Sequence, residues 1–360
     1  MPFPLTVLAG LSTSLRDDLV RCAVLRRPGL AAVAYDVDPQ STGIQVVRRV
    51  VDATGTLHRE VLELVGCCLS CTVRADVPEV LQLLAVADRW REVLLALPAA
   101  MQPDSVLGAV DPDVAEVDTV TTVVDAVLLR EQVGGDDLLA DRGLAAAPTD
   151  RRSTAGLVLG QLEESDVLAV VGLERLDTAE ARTLQALLSH LAPLALQVTV
   201  GPGGVGCEDL VGTGRRDPRS TAEERERLAA LAVELCVPEC GVTTLRWTSE
   251  RPMHSARLSA ALPQVIGQVV RSRGHIWLAD RPRDCVRWES AGGSLDFGDP
   301  ERWRGLPQCS LVLTGVGVDA DALHDLLDAC LATDEELVGE PTWEDPFADA
   351  LGPAEQRERA

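Results

Sequence analysis

The sequence predicts an α/β protein: a mostly parallel sheet with helices on both faces, followed by a smaller α+β domain. Three observations predict it. Over about the first 200 residues, short apolar runs alternate with helical patterns, as parallel strands do when helices cover both faces. A Gly-rich, polar stretch then breaks the alternation at 201–222. Beyond it the composition changes: five of the six Trp lie at 247 or later, and residues 246–304 hold ten Arg against seven acids.

The elements follow in order. "LTVLAG" from Leu5 is a buried strand ending in Gly10, and "STSLRDDLVRCAVL" is a helix with a Ser or Thr cap. "LAAVAYDVD" from Leu30 is the next strand. "IQVVRRVVDATGTLHREVLELV" reads as two extended segments around a Thr-Gly turn. The cysteine-rich "VGCCLSCTVR" follows as a loop. "ADVPEVLQLLAVADRW" from Ala75 is an amphipathic helix, with Pro78 tolerated in its first turn. "EVLLAL", "VDTVTTVVDA", "DVLAVVGL" and "LALQVTV" are further strands, and "AEARTLQALLSHLA" is a helix between the last two. The patternless 201–222 stretch reads as an interdomain linker. In the second domain the expected strands are "VTTLRWT", "GHIWLA", "CVRWES" and "CSLVLTGV", with helices "SARLSAAL" and "DADALHDLLDACL". The expected organisation is 1–200, a linker at 201–222, a second domain at 223–332, and a loosely ordered acidic tail at 333–360.

A formal charge of −23 over 360 residues repels phosphate backbones, which argues against direct nucleic-acid binding and leaves basic proteins as partners. All 33 basic residues are Arg, so no chemistry that needs a lysine amine is available. No apolar run reaches the roughly 20 residues of a membrane span, and the N-terminus lacks a basic leader. The expected location is the cytoplasm, where thiols are normally reduced.

The strand-to-helix turn at Gly10 invites a phosphate-loop reading, G-x-x-x-x-G-K-[ST]. Here Leu15 stands at the second Gly, Arg16 at the Lys and Asp17 at the Ser/Thr. Leu15 cannot adopt glycine's conformations cheaply, and Asp17 would oppose a phosphate. Gly10, Arg16 and Asp17 therefore mark a degenerate loop, and GTP is not expected there.

Three of the ten cysteines crowd into Cys67, Cys68 and Cys71. Cys68 and Cys71 form C-x-x-C, a spacing that suits two thiolates on one Zn²⁺, with Cys67 a third candidate. His58 and Glu60 are candidate further ligands. Redox sensing and plain packing remain open for the same thiols. Cys22, Cys207, Cys285, Cys309 and Cys330 read as core filler, and Cys236 and Cys240, split by Pro238, as packing. His254, before a helix, is a contact or cap candidate; His190, His275 and His324 have no partner spacing. No Ser-His-Asp or paired-carboxylate arrangement is apparent, and "GGSL" and "TGVGVD" read as turns.

Taken together, these pieces resemble the CobW family, a metal-handling branch of the P-loop GTPases. The Gly10 turn, "CCLSCTVR" and the C-terminal block "RPMHSARL", "RSRGHIWLA" and "RWESAGGSL" carry the resemblance. It implies a P-loop-type sheet domain and a smaller CobW C-terminal-like domain. The departures are in the nucleotide motifs: E-x-x-G falls on "ALPA" at 96–99 and N-K-x-D on "GLER" at 172–175. A pseudo-GTPase is expected. The chain is closer still to an actinobacterial branch, through "VLAG", "VLRRPG" and "GCCLSCTVRADV". That branch implies a zinc-responsive, noncatalytic factor that recruits a ribosome hibernation factor, or touches a small-subunit ribosomal protein, under zinc limitation. Zinc held by Cys68, Cys71 and Cys67 would be weak and exchangeable. The other reading the family allows is a GTP-dependent zinc metallochaperone.

Overall fold

The computed structural model describes residues 2–37, 45–65, 68–145, 147, 149–217, 219–234, 236–338 and 343–352. It divides into two compact units, one of 1–132 with 137–232, the other of 133–136 with 233–360.

The first unit is built on an eight-stranded sheet. Its strands are β1 (Phe3–Ala9), β2 (Leu30–Val37), β3 (Val46–Asp52), β4 (Gly55–Leu62), β5 (Glu92–Ala96), β6 (Ala115–Asp125), β7 (Val167–Val171) and β8 (Leu196–Val200), in the order β4-β3-β2-β5-β1-β6-β7-β8. Six strands run parallel, and β3 and β4 add an antiparallel hairpin at one edge. The main helices are α1 (Thr13–Arg26) and α2 (Leu69–Ala87), then the short α3 (Asp104–Leu107) and α4 (Leu129–Gly134), α5 (Thr154–Glu163), α6 (Thr178–Leu191) and α7 (Ala222–Glu234).

Strand alternation builds two cores, because successive side chains point to opposite faces. Leu5, Val7, Val33, Tyr35, Val93 and Leu95 pack with Val73, Val77 and Leu81 of α2. Leu8, Ala32, Ala34, Leu94 and Ala96 pack on the other face with Leu19, Val20 and Val24 of α1. The mostly parallel, doubly covered sheet expected from the sequence is therefore present.

The 201–222 stretch is not a free linker along its whole length. Cys207, Leu210 and Val211 are buried in the α1-side core. Arg26 donates to the Gly203 carbonyl at 3.1 Å, and Arg27 to Val211 O at 2.6 Å and to Glu92 at 2.7 Å. The arginines of "VLRRPG" thus clasp this stretch onto α1. Cys22 and Cys207 are joined as a disulfide, with Cα atoms 6.5 Å apart. Both had been expected to be reduced packing residues. They are 185 residues apart in sequence, and only the fold-back of this stretch makes them neighbours. The first unit accordingly runs to 232.

The second unit holds the antiparallel strands β9 (Val242–Ser249), β10 (Arg271–Ile276), β11 (Asp284–Ala291), β12 (Ser294–Phe297), β13 (Glu301–Arg302) and β14 (Cys309–Val316), with sheet order β12-β11-β10-β14-β9 and β13 beside β11. Helices α8 (Ser255–Ile266) and α9 (Ala320–Asp328) contribute Leu258, Val265, Leu323 and Leu327 to its core. Trp247 and Trp288 are fully buried there, their indole N–H groups donating to Asp328 at 2.8 Å and Ser272 at 2.7 Å. At Gly274 a Cβ would stand 2.0 Å from the Ser310 carbonyl, so only glycine lets β10 and β14 approach this closely.

The described part of the tail, 333–338 and 343–352, is more ordered than its acidic composition predicts. It forms α10 (Asp334–Leu337) and α11 (Ala348–Leu351), and Phe347 and Leu351 enter the second unit's core. Among the described residues, no helix is long and apolar enough to cross a membrane.

Candidate functional site

Two places matter, and both are fastened to the β2–β3 hairpin. The first is the turn after β1. Gly10 has φ +149°, and a Cβ there would lie 2.9 Å from the Val123 backbone carbonyl, so the turn needs glycine for close approach. Ser12 caps α1 by accepting from the Leu15 N–H at 3.3 Å. Arg16 then points inward. It is fully buried, and all five of its guanidinium N–H groups are engaged. Nη1 donates to the Tyr35 carbonyl at 2.9 Å and the Leu97 carbonyl at 2.7 Å. Nε and Nη2 donate to Asp17 Oδ1 at 3.1 and 2.7 Å, and Nη2 also to Asp36. Arg49 closes the ring, on Asp36 at 2.7 Å and Asp17 at 2.9 Å. Burial would raise the Asp36 carboxyl, but Arg16 and Arg49 hold it below the usual carboxylate range. The cluster is two arginines and two aspartates, locally neutral.

The stretch at 96–99 lies beside it. Leu97, Ala99 and Ala100 are buried, and their carbonyls are taken by Arg16, Gln161 and Arg152. The stretch at 172–175 forms a left-handed Gly172 and a short 3-10 turn after β7.

The second place is the start of α2. Cys68 and Cys71 begin a helix rather than sit in a loop. Cys68 is the helix N-cap, its Sγ accepting from the Cys71 N–H at 3.1 Å, and Cys71 lies in the first turn. The helix therefore starts six residues before the expected Ala75, and Pro78 is inside it. The prolyl ring leaves the carbonyl of Arg74 without its intrahelical donor. Thr72 locks the entry by donating to Cys68 O at 2.9 Å and accepting from Val65 N–H at 3.0 Å. Both thiols are partly exposed.

The pair is electrostatically unequal. Hydrogen bonding from Cys71, with further help from backbone N–H groups and Arg74, lowers the Cys68 thiol below its ordinary value. The same hydrogen bond, with burial and the Cys68 charge, raises Cys71. Cys68 is thus the first of the couple to give up its proton and Cys71 the second.

The remaining candidates are not gathered here. Cys67 lies outside the described residues. His58 is exposed on β4 and faces Glu60 at 3.2 Å, while Glu60 also takes Arg48. Among the described residues, no group of three or more His, Cys, Asp or Glu is placed to hold a metal ion. Cys236 and Cys240 follow the end of α7 and are not on one helix, and Cys240 has φ +49°. Cys309 and Cys330 are buried filler as expected; burial pushes the Cys309 thiol up to about 12.

What the sequence reading missed is the network that orients α2. Arg48, 5% exposed, donates to Asp76 of α2 at 2.5 Å, and the Tyr35 hydroxyl donates to the same carboxylate at 2.5 Å. Burial, then Asp76, raises the Tyr35 hydroxyl far above its usual value. Charged residues inside otherwise apolar strands, such as Asp36 and Arg48, were the available signal, since ligand sites of open α/β sheets gather at strand ends.

Residues 242–331 match the family described as the cobalamin synthesis protein cobW C-terminal domain. Over nearly its whole length the chain is similar to the Mycobacterium tuberculosis protein named zinc chaperone Rv0106, 28% identical over 406 residues, covering 97% of this chain and 94% of that one. It is also similar to zinc-regulated GTPase metalloprotein activator 1 of Dictyostelium discoideum, 25% identical, covering 96% and 84%. Among solved structures, the Zn(II)-bound YjiA GTPase from E. coli aligns over 92% of this chain and all of that one, at 13% identity and a TM-score of 0.33.

Proposed function

We propose that this CobW-like chain handles zinc as cargo or signal through Cys68 and Cys71, and does so as a pseudo-GTPase. The single observation that carries the reading is Arg16. In a working phosphate loop the cation at this position reaches out to the phosphates. Here every donor of its guanidinium is spent inside the protein, and Asp17, at the magnesium-ligand position, is committed to Arg16 and Arg49. The residues present do not fit a nucleotide triphosphate.

They do fit a soft metal ion, incompletely. Two thiolates at C-x-x-C spacing suit Zn²⁺, which takes three or four ligands. The shortfall favours exchange over permanent tenure, with Cys67, water or a receiving protein completing the shell. The names of the mycobacterial and Dictyostelium relatives support a zinc role.

Magnesium–GTP at millimolar concentration should leave the melting temperature unchanged, because any ligand of the native state must raise it. A clear rise would show nucleotide binding and favour instead the GTP-dependent zinc metallochaperone, the reading suggested by the name of the Dictyostelium relative. Zinc titration should show competition with thiol-blocking reagent and loss on replacing Cys68 and Cys71 together. Recruitment of a ribosome hibernation factor under zinc limitation is proposed with it, on the resemblance to the actinobacterial branch and on an acidic body suited to basic proteins. Co-sedimentation with ribosomes, gained on zinc depletion, is its test; no association in either condition rejects it.

A further inference from the structure

The tail carries an inference of its own. The face of the second unit that it covers lies wholly within the matched domain at 242–331. Among the described residues, most groups that cover that face come from 334–338 and 343–352, beside the carbonyls of Leu331 and Ala332, which accept from Arg257 and Arg251 at 2.7 Å. Arg281 has a side chain only 1% exposed, and among the described residues its guanidinium is met by the tail: Asp345 at Nε (3.1 Å) and Nη2, Gly352 O at Nη2, and Leu351 O at Nη1 (3.4 Å). The Trp343 ring stacks on His254 at 3.9 Å, and its N–H donates to Ser255 Oγ at 2.7 Å. Phe347 lies edge-on to Phe297 at 5.2 Å. Arg257 grips Glu336 with two parallel bonds of 2.8 Å, and Arg251 takes Asp334 at 2.5 Å. Without the tail this face would present three arginines, a histidine ring and an apolar socket. That is the chemistry of a reader of acidic peptides with aromatic anchors.

We propose that this face is a docking groove for an acidic, aromatic-anchored peptide segment, which the chain's own tail fills in cis. A partner protein carrying such a segment would dock only in exchange for the tail. The Arg-dense composition of 246–304 and the acidic tail are then two halves of one recognition pair. Charge complementarity within a chain of net charge −23 makes the exchange salt-dependent.

The test uses the full chain with a protease site substituted at 339–342, cut after folding. The probe is a fluorescein-labelled synthetic peptide of residues 343–352. The uncut chain should not bind it. The cut chain should release its tail on dilution, stay folded by circular dichroism, and bind the probe about ten-fold more weakly at 0.5 M than at 0.05 M salt. Arg281→Ala should weaken binding about 30-fold or more, since it strips a desolvated charge pair. Should that variant misfold, Asp345→Ala in the probe alone reads the same contact with the protein unchanged. The proposal fails if the cut tail never exchanges, if the cut chain unfolds as the tail leaves, if the uncut chain binds equally well, or if Asp345→Ala in the probe has no effect.

Discussion

The two faces of the β2–β3 hairpin end in opposite conditions. Arg48 and Arg49 are neighbours on β3, opposite Tyr35 and Ala34 of β2, and alternation sends them to different sides. Arg49 joins Asp36, Asp17 and Arg16 under α1, where each charge has its counter-charge and each Arg16 donor its acceptor. Arg48 joins Tyr35 and Asp76 and fastens α2, whose first turn presents two partly exposed thiols. One side is complete in itself; the other, on the reading proposed above, leaves its two thiols for a metal ion.

Breaking the closed side should have the largest effect. Arg16→Met leaves two carboxylates on Arg49 alone and takes the Arg16 donor from two buried carbonyls, and urea unfolding should record a loss of about 3–5 kcal/mol. A loss below about 1 kcal/mol would mean that the cluster is not the closed unit described. Next comes the fastening of α2. Tyr35→Phe removes one donor from Asp76 and should cost about 1–3 kcal/mol by the same measurement, while leaving zinc binding intact.

The open side can be sharpened with a pair of variants. Cys68→Ala removes both the helix cap and the thiol. Cys68→Ser restores a capping oxygen and removes only the thiol. The alanine variant should be about 0.5–2 kcal/mol less stable than the serine variant, and both should lose zinc equally. Equal stabilities would deny Cys68 its capping role.

This division also explains what could be read from the sequence. The buried strands, the β3–β4 hairpin and the C-terminal sheet were legible because period-two alternation and glycine turns are local signals. β14 falls on "CSLVLTGV" residue for residue. The start of α2 was not, because cysteine is outside the usual capping set and Pro78 looks like a first-turn residue. The departure of Leu15, Arg16 and Asp17 from the phosphate-loop pattern was plain in the sequence, but the inward path of Arg16 was not: it depends on the Tyr35 and Leu97 carbonyls, 19 and 81 residues away. The Cys22–Cys207 bond and the docked tail were hidden for the same reason. Acidic, proline-containing composition pointed to a loose tail, and three apolar anchors, Trp343, Phe347 and Leu351, decided otherwise.

The smallest effect is the most direct measure of the open side. Cys68 is shifted down and Cys71 up, so the pair gives up its first proton at Cys68 and holds the second. The folded state therefore favours the thiolate of Cys68, and that contribution to stability is present above the unfolded thiol value and fades as pH falls through the lowered one. Cys71 works in the opposite sense: its contribution is present below the unfolded value and fades as pH rises through the raised one. The net change in stability is small, so the readout is reactivity. Alkylation followed by mass spectrometry across pH 6–10 should label Cys68 first, Cys71 at higher pH, and Cys309, with its thiol near 12, only on unfolding. Zinc should suppress the Cys68 signal most strongly where the thiolate predominates, because binding must displace a proton below that range. Labelling of Cys71 ahead of Cys68 would reverse the order of proton loss, and would move the leading thiol of the proposed metal site from the helix cap into the first turn.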